Sequence, residues 1–404
     1  MSRFAVPTLL WYGDRKLFLS FPEKWNVSFY AMNGAAAKPL GRKAMKDAFS
    51  NPIGSKKIAD LARNRREAVI IFDDMSRPTK VSQILPYVVE ELNEGGISND
   101  HVRFVSALGA HGVMDLQDFT KKLGRKAVAE FSVFNHHPFG NLTDIGMTSR
   151  GTPVRINGEV MACDLKIGIG SVLPHSQSGF GGGSKIIVPG VAAADTICAN
   201  HELPAKWGIV EENITRLDMD EAARMAHMDV KVDAVLNEDA QVAGIYVGDV
   251  VAEFREAVKL ARKTYATSIP KGFDIVVANT YFKSNEAPLT IRFIRHVLKD
   301  KGTAVIIVNE PKGPVTHYLE GKFGKHLGGQ LYDGPKELDR IGRAIIYSPQ
   351  MMKDPWYELF DPDQQLCLRS WRDVIEELRN IHGDRASVAV VPDATVQIPS
   401  EFVS

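Results

Sequence analysis

Apolar residues recur along this chain in two ways, as short continuous runs and at helical spacing. The run Ala68–Phe72 is continuously apolar, which is typical of a buried parallel strand, and residues 82–94 place apolar side chains on one helical face before a Gly-Gly pair. The pattern repeats with a strand at 102–108 and a helix at 116–123. We therefore predict successive strand–loop–helix units, which build an α/β fold.

A second series of strands and helices follows a connector at 266–272. The strands predicted there are 273–279, 303–309, 344–347 and 387–391, and the helices are 289–298 and 371–381. A chain of 404 residues also exceeds one typical core. We expect two α/β domains with a cleft between them. The N-terminal domain is predicted over 1–266, the C-terminal domain over 271–392 and a tail over 393–404.

Composition narrows the class of protein. Lys plus Arg and Asp plus Glu both number 49, so the formal net charge is zero and a nucleic-acid partner is not expected. The three cysteines, Cys163, Cys198 and Cys367, are too scattered to indicate a disulfide framework or a thiolate metal cage. The sequence shows no signal peptide and no membrane-length apolar span. We expect a soluble cytoplasmic protein with no membrane partner.

The stretch from Pro174 to His201 carries the densest candidate chemistry. It contains two histidines, one lysine and five glycines, and it follows residues 164–173, which predict a strand. Glycines allow backbone N–H groups to come close to a bound anion. The spacing is not that of a P-loop, because Lys185 is followed by Ile186. The dinucleotide fingerprint fails too, since its third small residue is missing.

Several polar side chains lie just beyond the predicted strands. They are Asp74, Arg77, His111, His175 and Lys185. Open α/β sheets bind ligands beyond the carboxyl ends of their strands, so these residues are expected to form one site. His201 would reach that site from a helix predicted at 192–203. The adjacent pair His136 and His137 is interpreted as structural or solvent-facing, because neighbouring side chains on an extended segment point to opposite sides.

The same segments resemble the nickel-dependent lactate racemase family, whose members interconvert the two hands of a 2-hydroxy acid. The resemblance covers residues 73 to 249, in the family's order and approximate spacing. The matching motifs are Asp73–Pro78, Ala107–Gly112, Pro174–His201, Asn213–Ala223 and the Gly248-Asp249 pair.

The resemblance implies a cofactor and the residues that hold it. In the family this is a nickel pincer nucleotide (pyridinium-3,5-bisthiocarboxylic acid mononucleotide nickel) joined covalently to a lysine. By resemblance the lysine is Lys185, and the metal ligand is His201, since neutral imidazole suits nickel. Backbone N–H groups of the glycines would bind the phosphate. The other implied cofactor-binding residues are Asp74, Arg77, Ser178, Gly181, Gly182, Gly183 and Ser184. Cofactor-synthesis enzymes are the implied protein partners.

The resemblance also implies the reaction, which is reversible hydride transfer. This route avoids removing the weakly acidic Cα proton. One base takes the hydroxyl proton while hydride leaves Cα, and the planar 2-keto acid can receive hydride on its other face. Two orientations require two bases, and His111 and His175 are the expected pair. Imidazole titrates near neutrality, and a well-placed general base contributes roughly 100- to 10,000-fold.

The positions expected to face the substrate depart from the family pattern. A Tyr-Gln pair and a lysine of the family are replaced by Pro288-Leu289 and Arg292, and Gly112-Val113 follows His111 in place of Arg-Pro. The predicted substrate-binding residues are Arg77, Tyr281, Lys283 and Arg292. The small-molecule substrate stays open among a lactate-like, a malate-like and an aldonate 2-hydroxy acid. A non-catalytic cofactor carrier or sensor, and another reaction such as dehydration, also stay open, as does the oligomeric state.

Overall fold

The computed structural model describes residues 2–319, 340–350 and 364–403. The strands are β1 (Ser2–Thr8), β2 (Arg15–Phe21), β3 (Asn26–Phe29), β4 (Ala68–Asp73), β5 (Val102–Ala107), β6 (Ser132–Asn135), β7 (Leu142–Met147), β8 (Pro153–Asn157), β9 (Leu165–Ser171), β10 (Pro174–His175), β11 (Gly179–Phe180), β12 (Val230–Leu236), β13 (Val242–Gly248), β14 (Ala266–Thr267), β15 (Phe273–Thr280), β16 (Leu298–Val308), β17 (Ile341–Tyr347), β18 (Gln365–Leu368), β19 (Ser387–Val391) and β20 (Ile398–Pro399).

The α-helices are α1 (Arg42–Ser50), α2 (Ile58–Ala62), α3 (Leu85–Glu94), α4 (Leu116–Leu123), α5 (Arg125–Glu130), α6 (Gly158–Ala162), α7 (Ala194–His201), α8 (Ile214–Met225), α9 (Ala252–Tyr265), α10 (Thr290–Val297) and α11 (Trp371–His382). Among the described helices, none is long and apolar enough to cross a membrane.

The described residues form two compact units. The larger unit contains residues 34–264 and 316–319, and the smaller unit contains residues 2–33, 265–315, 340–350 and 364–403. Each unit is built around a six-stranded sheet with helices, so the predicted α/β class is confirmed. The cleft stays a prediction.

The sheet of the larger unit has the strand order β13-β12-β9-β4-β5-β6. Its strands are parallel except β13, which pairs antiparallel with β12. Strands β4 and β9 are buried along their whole length, which explains why neither alternates polar with apolar residues. Because β9, β4 and β5 are parallel neighbours, their carboxyl ends lie at one edge of the sheet, where ligands bind in open α/β folds.

The sheet of the smaller unit has the order β18-β17-β16-β15-β19-β3 and is parallel throughout. The antiparallel hairpin of β1 and β2 adds Val6, Leu19 and Phe21 to one of its hydrophobic core clusters. The other cluster of this unit contains side chains of α10, including Phe293 and Ile294. The smaller unit therefore has its own hydrophobic core.

The division of the chain differs from the predicted boundaries at both ends. The prediction places residues 1–266 in one domain, but β3 pairs with β19 and so belongs to the sheet of the smaller unit. The prediction treats residues 393–404 as a tail, but β20 pairs with β14, and Val396 and Ile398 are fully buried. Both differences arise from pairing between segments that are far apart in sequence, which local hydrophobic patterns do not report.

Candidate active site

Three loops begin where the parallel strands β4, β5 and β9 end. Asp74–Arg77 follows β4, His111 lies beyond β5, and His175 lies beyond β9. Neighbouring strand ends therefore place these three segments at one edge of the sheet, as the sequence analysis expects.

Asp74 is hydrogen-bonded to the ring of His111. Its Oδ2 lies 2.6 Å from His111 Nδ1, and its Oδ1 accepts the backbone N–H of Ser76 at 3.0 Å and the Ser76 hydroxyl at 2.5 Å. Burial alone would raise the pKa of Asp74, but His111, Arg77 and Ser76 together bring this pKa well below its usual range. The ionised carboxylate holds the ring proton of His111 on Nδ1, which leaves Nε2 as the proton acceptor.

The His111 loop is paired with a segment that returns from much later in the chain. Residues 110–112 and 316–318 are joined by two backbone N–H···O=C hydrogen bonds of 2.8 Å, with His111 opposite His317. The two imidazole rings pack edge to face, with centroids 5.2 Å apart. His317 thus belongs to the larger unit, although the prediction places residues 271–392 in the C-terminal domain.

His317 is held in one neutral form. Its Nδ1 accepts the backbone N–H of Leu319 at 3.2 Å, so the ring proton lies on Nε2. Burial first, and then the charges of His111 and His201, lower the pKa of His317 far below its ordinary value. His317 is therefore in direct contact with His111 and close enough to His201 for each to disfavour protonation of the other.

His175 lies in the small hairpin that pairs β10 with β11. Its Nδ1 accepts the backbone N–H of Gln177 at 3.1 Å, so the neutral ring carries its proton on Nε2. The turn requires glycine at Gly179, where φ is +71° and a Cβ would lie 2.1 Å from the carbonyl oxygen of Ile209. His111 and His175 thus present opposite groups at Nε2, an acceptor on the first and a donor on the second.

Lys185 and His201 lie close enough to interact electrostatically. Lys185 is buried in the short 3₁₀ turn Gly183–Ile186, and His201 is the last residue of α7. The Nδ1 atom of His201 is buried and has no hydrogen bond of ordinary geometry among the described residues, although the backbone of Ile197 is close enough to raise the pKa of the ring. Burial, and then the positive charge of Lys185, lower the pKa of His201 to about 3. The imidazole is therefore neutral at pH 7 and keeps a lone pair that can bind a metal ion.

These two residues fit a metal-containing group that is attached to Lys185 and ligated by His201. A neutral ring with an unpartnered buried nitrogen is the donor that nickel would need. Within residues 2–319, 340–350 and 364–403, no group of three or more His, Cys, Asp and Glu residues is arranged to hold a metal ion.

Two N–H groups of the glycine-rich loop are already engaged by the protein. The N–H of Gly181 donates to the carbonyl oxygen of Leu173 at 2.6 Å, and the N–H of Gly183 donates to Asp233 Oδ2 at 2.6 Å. A Cβ on Gly182 would lie 2.8 Å from the same Asp233 oxygen. The expectation that the N–H groups of Gly181 and Gly183 bind a phosphate is therefore corrected.

Arg216 holds the carbonyl side of the same loop. Its fully buried guanidinium donates to the carbonyl oxygens of Phe180 and Gly182, the second at 3.0 Å, and lies 4.2 Å from the ring centroid of Phe254. Each of these hydrogen bonds is charge-assisted and therefore stronger than one between neutral groups. The loop that ends in Lys185 is thus fixed from the interior of the larger unit.

The other predicted cofactor residues also have partners or are buried. The Ser178 hydroxyl donates to the carbonyl oxygen of Phe180 at 2.8 Å. Ser184 is fully buried, with its hydroxyl close enough to the Asp220 carboxyl to help hold down the pKa of Asp220. Arg77 Nη1 donates to the carbonyl and hydroxyl oxygens of Ser76 at 2.9 and 2.8 Å. Cofactor binding by these residues stays a prediction.

Three predicted substrate-binding residues lie in the smaller unit. The Tyr281 hydroxyl donates to Asp14 Oδ1 at 2.9 Å. Lys283 is fully buried, with Nζ 4.0 Å from Glu286 Oε2, whereas Arg292 is exposed on α10. Their roles in substrate binding stay predictions.

Sequence reasoning misses Lys231 and Asp233, gives no role to Arg216 inside the Asn213–Ala223 motif, and leaves His317 open between facing the cleft and packing. Their functions depend on contacts across the sheet or along the chain. One signal exists in the sequence, because the Gly-x-Gly of β9 at 168–170 pairs with the Lys-x-Asp of β12 at 231–233. Two charged residues that lie opposite two glycines of a neighbouring strand indicate that the charged side chains extend across that strand, where the glycines leave room for them.

Comparison with known proteins identifies sequence relatives. A family model of the lactate racemase N-terminal domain matches residues 12–209. The lactate racemase of Thermoanaerobacterium thermosaccharolyticum is 32% identical over 258 residues, which is 61% of this chain and 59% of that protein. The lactate racemase of Lactiplantibacillus plantarum is 26% identical over 393 residues, which is 87% of this chain and 89% of that protein.

Solved structures share the fold. The lactate racemase apoprotein from T. thermosaccharolyticum superposes with a TM-score of 0.76 at 20% sequence identity, covering 98% of this chain and 100% of that one. A protein of Thermotoga maritima gives a TM-score of 0.67 at 17% identity, covering 89% of this chain and 98% of that one. The match to the first sequence relative spans about three fifths of its length, 59%.

Proposed function

Because the chain belongs to the lactate racemase family, we propose that it is an isomerase, a racemase or 2-epimerase of a 2-hydroxy acid. The observation that carries the proposal is the Asp74–His111 pair, a base with a fixed orientation. His317 packs against His111, and His201 is close enough to help lower the pKa of His317, which supports one site for the base and the proposed metal ligand. A 2-hydroxy acid has both the hydroxyl group that such a base would deprotonate and the C2 hydrogen that a hydride acceptor would take.

His111 is proposed to accept the hydroxyl proton at Nε2. Asp74 favours this step, because its negative charge stabilises the imidazolium that forms. His175 presents an N–H at Nε2, which can hydrogen-bond to the same oxygen of the substrate. For His175 to accept a proton there, its ring proton must move to Nδ1 and the hydrogen bond from Gln177 must break. His111 and His175 differ in whether Nε2 accepts or donates a proton. Such a pair suits a reaction that runs in both directions.

Lys185 is proposed as the covalent attachment point of a nickel pincer nucleotide, with His201 as the nickel ligand. When bound, this group would supply a hydride acceptor. The neutral ring of His201 and the burial of Lys185 support the assignment. Arg77, whose guanidinium is held against Ser76, is proposed to bind the substrate carboxylate through two-point hydrogen bonds. Cofactor-synthesis enzymes remain the predicted partners, and the cytoplasm remains the predicted location.

The substrate is proposed to be a 2-hydroxy acid other than lactate. The positions after His111 and the segment that contains Pro288-Leu289 and Arg292 differ from the family pattern that accompanies lactate. A malate-like acid and an aldonate are the two proposed classes, because extra basic side chains suit a second carboxylate or a polyol chain.

The proposal is tested with single enantiomers of 2-hydroxy acids that carry deuterium at C2. The protein is produced together with cofactor-synthesis enzymes, and products are separated by chiral chromatography with mass detection. The expected result is the opposite enantiomer with its deuterium retained, since the same hydrogen returns to Cα. Loss of deuterium to water would indicate proton abstraction at Cα and would contradict the hydride route.

The same assay separates the alternative functions. A cofactor carrier or sensor would leave every enantiomer unchanged although Lys185 is modified. A dehydratase would consume the 2-hydroxy acid and form a product of different mass. Protein made without the cofactor-synthesis enzymes is the matched control, and it should be inactive.

A further inference from the structure

Strand β12 carries two buried charges in the middle of the larger unit. Lys231 and Asp233 are both fully buried. The ammonium group of Lys231 donates to Asp233 Oδ1 at 2.5 Å and to the carbonyl oxygen of Val232 at 3.0 Å. Burying an ion pair is costly unless its geometry and remaining hydrogen bonds are good, so this pair requires an explanation.

Strand β9 is shaped to let the Lys231 side chain pass. Gly168 pairs with Lys231 and Gly170 pairs with Asp233. A Cβ on Gly168 would lie 2.8 Å from Lys231 Cδ, and a Cβ on Gly170 would lie 3.2 Å from Lys231 Nζ. The same Gly170 position is 3.4 Å from Asp73 Oδ2 and 3.5 Å from Asp233 Oδ1. The ammonium group and one carboxylate of β12 and one carboxylate of β4 therefore meet over this glycine of β9, the strand between them.

Asp233 holds the loop that leads to Lys185. Its Oδ2 accepts the N–H of Gly183 at 2.6 Å. Gly183 opens the 3₁₀ turn that contains Lys185. A shift of this carboxylate would therefore move the backbone two residues before the proposed attachment point.

Asp73 holds the loop that follows β4. Its Oδ2 accepts the hydroxyl of Thr79 at 2.5 Å, and its Oδ1 accepts Lys122 Nζ at 2.7 Å. Lys122 Nζ also donates to the carbonyl oxygen of Arg77 at 2.8 Å. Asp73 is therefore tied to both ends of the segment that carries Asp74 and Arg77.

We propose that Lys231 is a positioning residue whose buried ammonium group, paired with Asp233 and facing Asp73 over Gly170, couples the Asp74–Thr79 loop to the Gly179–Lys185 loop. Without this cation, Asp233 would lose its ion pair and would face the Asp73 carboxylate, which keeps Lys122, over Gly170 in the interior. The uncompensated charge of Asp233 would then displace both loops. The consequence for catalysis rests on the proposed function, whereas the coupling of the loops does not.

The test compares hydrogen–deuterium exchange in protein without cofactor. Lys231→Met removes the cation, and Lys166→Met is the matched control. Lys166 is also a buried lysine, at the opposite end of β9, where it donates to the carbonyl oxygen of Cys163 at 2.8 Å. In Lys231→Met, amides in both loops should exchange at least about tenfold faster than in wild type. In Lys166→Met, both loops should keep the wild-type rates.

A second substitution separates charge from packing. In Lys231→Met/Asp233→Asn the facing charges are reduced to one, and the Asn side-chain carbonyl can still accept the N–H of Gly183. The double variant should return both loops to within about threefold of the wild-type exchange rate. A residue that acted only by filling space would not be rescued. If Lys231→Met does not fold, Gly170→Ala supplies a smaller perturbation, because its Cβ would lie 3.2 Å from Lys231 Nζ and push the ammonium group aside, which should also accelerate exchange in both loops.

Wild-type exchange in both loops of folded Lys231→Met, or no rescue in the double variant, would overturn the proposal. Covalent loading of Lys185 is then compared by intact mass after production with cofactor-synthesis enzymes, and Lys231→Met should load less than Lys166→Met. If wild type itself is not loaded, the proposed function fails, while the exchange result still decides whether Lys231 couples the loops.

Discussion

Asp74 Oδ2 and His111 Nδ1 lie 2.6 Å apart, and this contact determines which nitrogen of His111 can accept a proton. Asp74→Asn should lower kcat by roughly 100- to 10,000-fold, because an amide can donate to Nδ1 and favour the tautomer with its proton on Nε2. Nickel content should not change. Asp195→Asn, at an exposed pair with Arg155, is the control and should retain full activity. An unchanged kcat in Asp74→Asn would remove Asp74 from the mechanism.

His111→Gln and His175→Gln should each reduce racemisation by at least about 100-fold, since each removes one proton-transfer group. Both variants should keep nickel and the mass addition on Lys185. The comparison is His137→Gln, which changes an exposed histidine of the same unit and should be fully active. Wild-type turnover in both site variants would show that other residues carry the protons.

Gly183→Ala should destabilise the larger unit by about 1–3 kcal/mol more than Gly151→Ala. Both glycines have positive φ, +55° and +87°, so both substitutions carry backbone strain. Only at Gly183 would the added Cβ also clash, 2.7 Å from Cγ of Phe254, whereas the position at Gly151 is open. Thermal unfolding of the two variants measures the difference. Equal melting temperatures would mean that the loop can move away from Phe254.

The stability of the protein should fall as the pH falls from 6.5 to 4, in part through His136. Its Nε2 donates to the carbonyl oxygen of Ala192 at 2.9 Å, and burial lowers its pKa from 6.5 to about 4. In this window the unfolded chain binds a proton that the folded chain does not. The free energy of unfolding therefore decreases toward low pH, by up to ~1.4 kcal/mol per pH unit from this residue.

His136→Gln keeps a side-chain donor and removes the titration. Urea unfolding at several pH values should show a shallower pH dependence in this variant than in wild type. Parallel curves would indicate that His136 is not a buried neutral histidine in solution.

The hydrophobic pattern correctly predicts the strands that lead to the site, because burial of these strands is visible in their own local sequence. Ala68–Phe72 is apolar and residues 167–173 are apolar or small because both faces of β4 and β9 are buried, and the polar residues that follow them emerge at the carboxyl edge. The order of motifs then indicates which side chains meet. Asp74, His111 and His175 could be predicted on this basis.

The features that could not be predicted depend on distant partners. The sequence analysis assigns no element to Val230–Leu236, a strand that buries Lys231 and Asp233, where each neutralises the other inside the sheet. His317 is separated from His111 by a long stretch of chain that folds into the smaller unit. The sequence alone leaves the N–H groups of Gly181 and Gly183 available to an anion. The structure shows that they donate to Leu173 and Asp233 instead.

Whether Lys185 carries a nickel-containing nucleotide is tested by the intact mass and nickel content of protein produced with cofactor-synthesis enzymes, followed by peptide mapping. We expect one nucleotide adduct on Lys185 with stoichiometric nickel, no adduct in Lys185→Ala, and loss of nickel in His201→Ala. An unmodified wild-type chain that also binds none of the purified cofactor would contradict this expectation.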